Sequence, residues 1–170
     1  QHIDEARKIA RSSLTEARRF IRGMRPEALE KQPFELAVKQ MVDDWSASNR
    51  IPAAWRVTGT RLLLSSEQEI VLLRVIQEAL TNITKHAQAQ RVNITLSYLV
   101  DTLIVDIQDD GCGFDLAAMP INPIEHAGYG LRNMRERLES IQGQLTIESA
   151  SNEGTTVVAE IRLSGELINA

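Results

Sequence analysis

Apolar and polar positions follow two periods along this chain, and each change of period marks an element. The opening stretch, QHIDEARKIARSSLTEARRFIRGMRPEALE, places Ile3, Ala6, Ala10, Ser13, Ala17, Phe20 and Met24 at alternating spacings of three and four. That is the seam of a heptad-like helix. Arg and Glu fill most other positions, and the small seam residues are too weak to hold a helix alone, so it needs a partner. An ordinary surface helix would carry the same spacing, but the strongly charged faces favour an assembly helix. Pro26 ends or bends it. PFELAVKQMVDDWSASN is amphipathic through Leu36, Val38, Met41, Val42 and Trp45, and AAWRVTGT reads as a short strand. SSEQEIVLLRVIQEALTNITKHAQA is the most strongly patterned helix, with Ser66 as N-cap and Glu69 in capping-box position.

Period two then takes over. RVNITLSYLV and DTLIVDIQDD are two strands that meet near Val100 and Asp101 as a hairpin. Gly111 to Gly128 contains Pro120 and Pro123 and no period, which predicts a loop or lid. GLRNMRERLESIQG is a helix closed by Gly143, and QLTIESA and TTVVAEIRL are strands around the turn SNEG. This order predicts an α+β fold: a two-layer α/β sandwich with a mixed, mostly antiparallel sheet and helices on one face, preceded by a long N-terminal helix. Residues 1–30 form the helical lead-in and 31–170 the main domain.

The patterned helix has two faces. Stepping by about 100° per residue from Glu78 puts Asn82 about 40° away, Lys85 about 20° the other way and His86 about 80° away. Leu72, Leu73, Ile76, Leu80 and Ile83 gather on the opposite face, against the sheet. A polar stripe is usually just a solvated face. Here Asn82 is a poor helix former in a helix interior, and Val71 and Val75 share the polar side. A half-buried stripe of acid, amide, amine and imidazole reads as a wall facing a ligand.

Glycines punctuate the remaining segments. In DDGCGFD, Gly111 and Gly113 permit positive φ and close approach to a ligand, and Asp109 closes the strand where its carboxylate can accept hydrogen bonds. The same residues would suit a plain tight loop. A calcium loop is disfavoured, since no alternating acids and no terminal Glu follow at the spacing of an EF-hand. A nucleophilic role for Cys112 is opposed by its surroundings, Asp109, Asp110 and Asp115. In AGYGLRNM, Gly128 and Gly130 stand at a helix N-terminus, where free N–H groups favour an anion such as phosphate, although a hinge would use the same glycines. Gly154 and Thr155 enter the last strand.

Composition narrows the setting. With 170 residues, 43% hydrophobic and 25% charged, the chain suits one globular domain with a small appendage. A net charge of −4 argues against general nucleic-acid binding. The single Cys excludes an internal disulfide or a cysteine-rich zinc site and fits a reducing, cytoplasmic compartment. No apolar run reaches the length of a membrane span. The first residue is Gln, so we expect the chain to be cut from a longer protein, with any membrane segment elsewhere.

From Phe34 to Leu163 the pieces resemble the ATP-binding domain (the Bergerat, or GHKL, fold) shared by sensor histidine kinases, type II topoisomerases and Hsp90 chaperones. EALTNITKHA is similar to the N-box, DDGCGF to the D-x-G-x-G motif, GYGL to the second glycine motif and GTTV to the Gly-Thr entry of the last strand. EARRFIRGMRPEALE, QEALTNITKHAQA and GYGLRNMRERLESIQGQLTIESA resemble one histidine-kinase subfamily, that of nitrate sensors and DesK-type thermosensors. The resemblance implies ATP and Mg²⁺ as cofactors. Asp109 would accept from the adenine amino group, with Thr155 close by. Asn82 would hold Mg²⁺. Lys85 and His86 would lie near the phosphates, and Gly111 and Gly113 would belong with Asp109 to the adenine end of the pocket. Gly128, Gly130 and Leu131 would form the lid hinge and its phosphate-facing backbone. Glu78 would polarise the attacking nucleophile, a His nitrogen.

The opening helix would be the second helix of a dimerisation domain, so the full protein would be a homodimer. The phosphoacceptor helix would lie outside this chain, because His2 is followed by Ile3 and not by an acid. Phosphate would pass to an Asp of a response regulator. Two other readings use the same fold. A serine kinase acting as an anti-sigma factor normally lacks the charged lead-in helix. A non-catalytic, ATP-gated dimerisation module is opposed by the presence of both Glu78 and Asn82.

Overall fold

The computed structural model describes residues 26–115 and 128–163. Positions 1–25 of the lead-in, with its seam and His2, the lid positions 116–127 and the tail 164–170 lie outside the described residues; Pro26 stands as N-cap of a separate short helix, Glu27–Lys31. The elements run α1 (Glu27–Lys31), α2 (Phe34–Asn49), β1 (Ala53–Thr58), α3 (Ser66–Asn82), a π turn (Ile83–Ala87), β2 (Val92–Tyr98), β3 (Thr102–Asp109), α4 (Gly128–Glu139), β4 (Gln144–Ser149) and β5 (Thr155–Arg162). The strand order is β1-β2-β3-β5-β4, with β1 parallel to β2 and every other pair antiparallel. The expected mixed sheet and two-layer sandwich are therefore present.

Alternation in the strands sets which face the helices cover. Val92, Ile94 and Leu96 of β2, Leu103, Val105 and Ile107 of β3, and Ala159 and Ile161 of β5 are buried. The intervening Asn93, Gln108 and Glu160 are exposed. The buried face meets Val38 and Val42 of α2, Leu72, Leu73 and Ile76 of α3, and Met134 and Leu138 of α4. Each such side chain contributes about 1.5–3 kcal/mol of burial free energy, which is why the helices settle on one side only. Among the described residues no helix is long and apolar enough to cross a membrane.

Three local expectations change. The N-cap of α3 is Ser65, not Ser66, and Gln68 takes the place of Glu69 in the capping box. Ser65 Oγ accepts from Gln68 N at 3.2 Å and Gln68 Oε1 accepts from Ser65 N at 2.9 Å. The box recurs one residue earlier because Gln serves as well as Glu at that position. Ser65→Ala is expected to lower unfolding stability by about 1 kcal/mol, read as a shift of the urea midpoint at constant slope. Second, the left-handed residue that closes the segment after α4 is Gln142, at φ 59°. Gly143 is required for space: a Cβ there would lie 2.8 Å from Ile161 Cγ2. Third, α3 does not run as a uniform α-helix to its end. It widens into the π turn and stops at Gln88, whose φ is 53°.

Candidate functional site

Register brings the separate motifs together. Asp109 ends β3 directly opposite Thr155, the first residue of β5, and Ile107 faces Val157 on the same inward side. The C-terminal end of α3, its π turn and the first turn of α4 close over this end of the sheet. The result is a cavity of about 680 Å³ lined by Glu78, Asn82, Lys85, His86, Asp109, Gly113, Gly130, Leu131 and Thr155 among others. Nine of the eleven site residues expected from sequence therefore meet around one volume. Gly111 lies just behind it, against Ala87, and Gly128 begins α4 beside the lid positions that lie outside the described residues.

Asp109 is the only buried charged or polar side chain among the described residues, at 6% exposure. Its Oδ1 accepts from Gly111 N at 2.8 Å, and its carboxylate also accepts from Thr155 N. Burial pushes its carboxyl above the usual carboxylate range, the two N–H bonds oppose this, and Asp110 adds a smaller push upward. The neighbouring Asp110 faces elsewhere. Its Oδ1 accepts from Gln90 N and Arg91 N, both at 2.8 Å, and so pins the entry to β2. The two adjacent acids thus differ in kind: one faces the cavity, and the other holds a loop.

The glycine loop is shaped by protein contacts more than by ligand approach. Gly111 does not use positive φ. Its Cα presses on the π turn, where a Cβ would lie 2.3 Å from Ala87 O. Gly113 does use it, at φ 54°, and a Cβ there would meet Ala150 O at 2.1 Å. Cys112 is exposed, but it is more than a spacer. Its N–H donates to Ala87 O at 2.7 Å and its Sγ to His86 O at 3.2 Å. The residue therefore ties the loop to the turn that carries Lys85 and His86.

Several lining or supporting residues were not singled out in the sequence. Phe114, Ala79 and Ala87 line the cavity. Ser149 accepts from Phe114 N at 2.9 Å and donates to Gly154 O at 2.9 Å, which leaves Thr155 as donor in the 3.0 Å contact between the two hydroxyls. Alternation could have flagged Ser149: it falls at the inward position after Leu145 and Ile147, where a polar side chain needs a reason.

The lining carries both signs of charge. The Asp109 carboxylate is buried, beside Ile107 and Val157 in the lining, whereas Lys85 and His86 of the π turn are exposed, and Glu78 and Asn82 of α3 also face the cavity. Such a site can hold an apolar group with an amine donor for the buried carboxylate and a negatively charged group for the exposed cations.

Comparison with known proteins agrees. Residues 67–165 match the family described as histidine kinase-, DNA gyrase B- and HSP90-like ATPase. The signal transduction histidine-protein kinase/phosphatase DegS of Brevibacillus brevis is 32% identical over 166 residues, which cover 98% of this chain and 42% of that protein. The sensor histidine kinase LnrJ of Bacillus subtilis is 30% identical over 159 residues, 93% of this chain and 37% of LnrJ. The chain thus spans less than half the length of these relatives. The histidine kinase domain of the blue-light activated kinase from Erythrobacter litoralis shares the fold, with a TM-score of 0.61 at 21% identity over 78% of this chain and 62% of that one. The chain belongs to the histidine kinase-, DNA gyrase B- and HSP90-like ATPase family, as an ATPase domain of the sensor histidine kinase type.

Proposed function

We propose that this chain is the catalytic domain of a sensor histidine kinase: it holds Mg-ATP in the cavity and delivers the γ-phosphoryl group to a histidine on a dimerisation helix outside this chain. The reading is carried by Asp109, a buried carboxylate in the wall of a cavity that Lys85 and His86 also line. A volume of about 680 Å³ is in the range for a nucleotide. Adenine would stack between Ile107 and Val157 on one side and the helix on the other, with its amino group on Asp109.

The donor set also fits magnesium. Among the described residues no group of three or more His, Cys, Asp or Glu could cage a metal. Mg²⁺ seldom uses such a cage, taking one or two protein oxygens and completing its shell with phosphate and water. Asn82 Oδ1 is the oxygen offered here. Bound Mg-ATP supplies the activated phosphoryl group. The chain's own residues would then position and neutralise: Lys85 and His86 would hold the phosphate end, Gly130 and Leu131 in the first turn of α4 would face it, and Glu78 would accept a hydrogen bond from the other ring N–H of the attacking imidazole. Phosphate would pass on to a response-regulator Asp. In the full protein, residues 1–30 would pair as the second helix of a dimerisation domain, and segments outside this chain would supply any membrane anchor.

Two measurements test this together. ATP binding is expected to strengthen on adding Mg²⁺. Labelled ATP is expected to mark a separately supplied acceptor-helix fragment with acid-labile phosphate and to leave this chain unlabelled. Absence of nucleotide binding sinks the proposal, and acid-stable label would favour the serine-kinase reading.

A further inference from the structure

The π turn that carries Lys85 and His86 is held from a helix that does not touch the cavity. Trp45, on α2, donates its indole Nε1–H to Thr84 Oγ1 at 2.9 Å. The Thr84 hydroxyl has one proton and two acceptors in reach, Leu80 O at 3.1 Å and Asn49 Oδ1 at 3.3 Å. Asn49 in turn donates its Nδ2 to Trp45 O at 2.8 Å. Ser46 Oγ donates to Ile51 O at 2.7 Å and fixes the exit of α2 just beyond. The three side chains therefore form a closed link between the end of α2 and the turn.

This link bears on the shape of the turn. A Thr that bonds the carbonyl four residues back competes with the helix ladder and bends it. A widened π turn inside a helix departs from the preferred geometry and occurs often at functional sites. Thr84 sits inside that turn, immediately before Lys85. On its other side the turn is tied to the glycine loop by the two Cys112 bonds. Neither Trp45 nor Thr84 lines the cavity.

We propose that Trp45 and Thr84 are positioning residues, which hold the π turn in the register that aims Lys85 and His86 at the phosphate end of the ligand. The inference rests on the nucleotide reading above and adds to it a device outside the pocket. Losing the indole–hydroxyl bond lets the turn relax toward α geometry and swings both cations, while Asp109 keeps its own anchors, the Gly111 N–H bond and the pairing of β3 with β5.

The test compares two ligands on Trp45→Phe and on Thr84→Val. Binding of ATP is expected to weaken about tenfold in each. Binding of adenosine, which has no phosphate, is expected to stay within about twofold. In a Lys85→Met, His86→Gln background, Thr84→Val is expected to cause no further loss of ATP affinity, because the groups it positions are gone. Equal losses for ATP and adenosine, unchanged ATP affinity in both variants, or full additivity in the double-site background would each overturn the inference. Trp45→Phe keeps the apolar packing, so it reports even where Thr84→Val folds poorly. Should the unaltered chain bind no ATP, the nucleotide reading itself fails, an outcome separate from those three.

Discussion

Asp109→Asn is expected to lose at least about 100-fold in ATP affinity, roughly 2.7 kcal/mol, with little change in melting temperature at pH 7. The size follows from what the position must accept. Gly111 N and Thr155 N already donate into the carboxylate, and the adenine amino group would be a third donor. A carboxylate is acceptor-only, with about four lone-pair sites on two oxygens. An amide of the same shape offers one oxygen and turns an NH₂ toward one of the donors. A buried donor facing a donor costs its full desolvation penalty, and sites built to bond one group reject its absence by large factors. Isothermal titration with ATP is the measurement. An affinity within threefold of the parent would remove Asp109 from the adenine end.

The stability half of that prediction has a definite sign. Burial raises the Asp109 pKa above its unfolded value. The folded state therefore keeps the proton where the unfolded chain has released it. The contribution of this group is most favourable below the unfolded value near 4 and is lost as pH rises through the folded one. At pH 7 the parent carries the cost of a buried charge. Asparagine removes that cost but gives up an acceptor, and the two changes offset. As pH falls through the carboxylate range the parent sheds its cost and the variant gains nothing. The melting temperature of the variant relative to the parent should thus fall with pH, measured between pH 7 and pH 4. A carboxylate kept buried against this cost is what function, rather than packing, would retain.

What could be read from the sequence was what is local. Strand alternation placed Asp109 at the end of β3 and Thr155 at the start of β5, and helical period put Glu78 and Asn82 on one face, away from Leu72, Leu73 and Ile76. Those inferences need only a repeat and a handful of residues. The π turn could not be read this way. ITKHA has no residue that signals a widened turn, and its geometry rests on partners far along the chain: Trp45 is 39 positions from Thr84, and Cys112 is 26 from His86. Stepping by about 100° nonetheless put Lys85 and His86 on the side of Glu78 and Asn82, and all four line the cavity. Gly111 was misread for a similar reason. Glycine in a loop suggests positive φ or room for a ligand, and here it makes room for Ala87. Which neighbour a small residue accommodates is a property of the packed fold.

Glu78→Gln is expected to slow phosphoryl transfer to a separate acceptor fragment by about 10²–10⁴, the usual span for losing a general acid–base group, while ATP affinity stays within a few-fold. Gly130→Ala should reproduce this from a residue that has no side chain to lose. In a helix, alanine is favoured over glycine by about 1 kcal/mol, so by propensity alone the variant should be more stable. Its Cβ, however, would lie 2.4 Å from Glu78 Oε1 and 3.3 Å from Asn82 Oδ1. Glu78 can yield by rotating the far end of a flexible side chain, which costs the fold little and removes the carboxylate from its place. The expected pattern is a melting temperature at or above the parent, ATP affinity within a few-fold, and transfer reduced at least about tenfold in single-turnover assays. Adding Gly130→Ala to Glu78→Gln should then cost nothing more, because the displaced group is already inert. Parent-like transfer in Glu78→Gln would assign the base to the acid beside the acceptor histidine, and the closeness of Gly130 to Glu78 would then be a matter of helix packing alone.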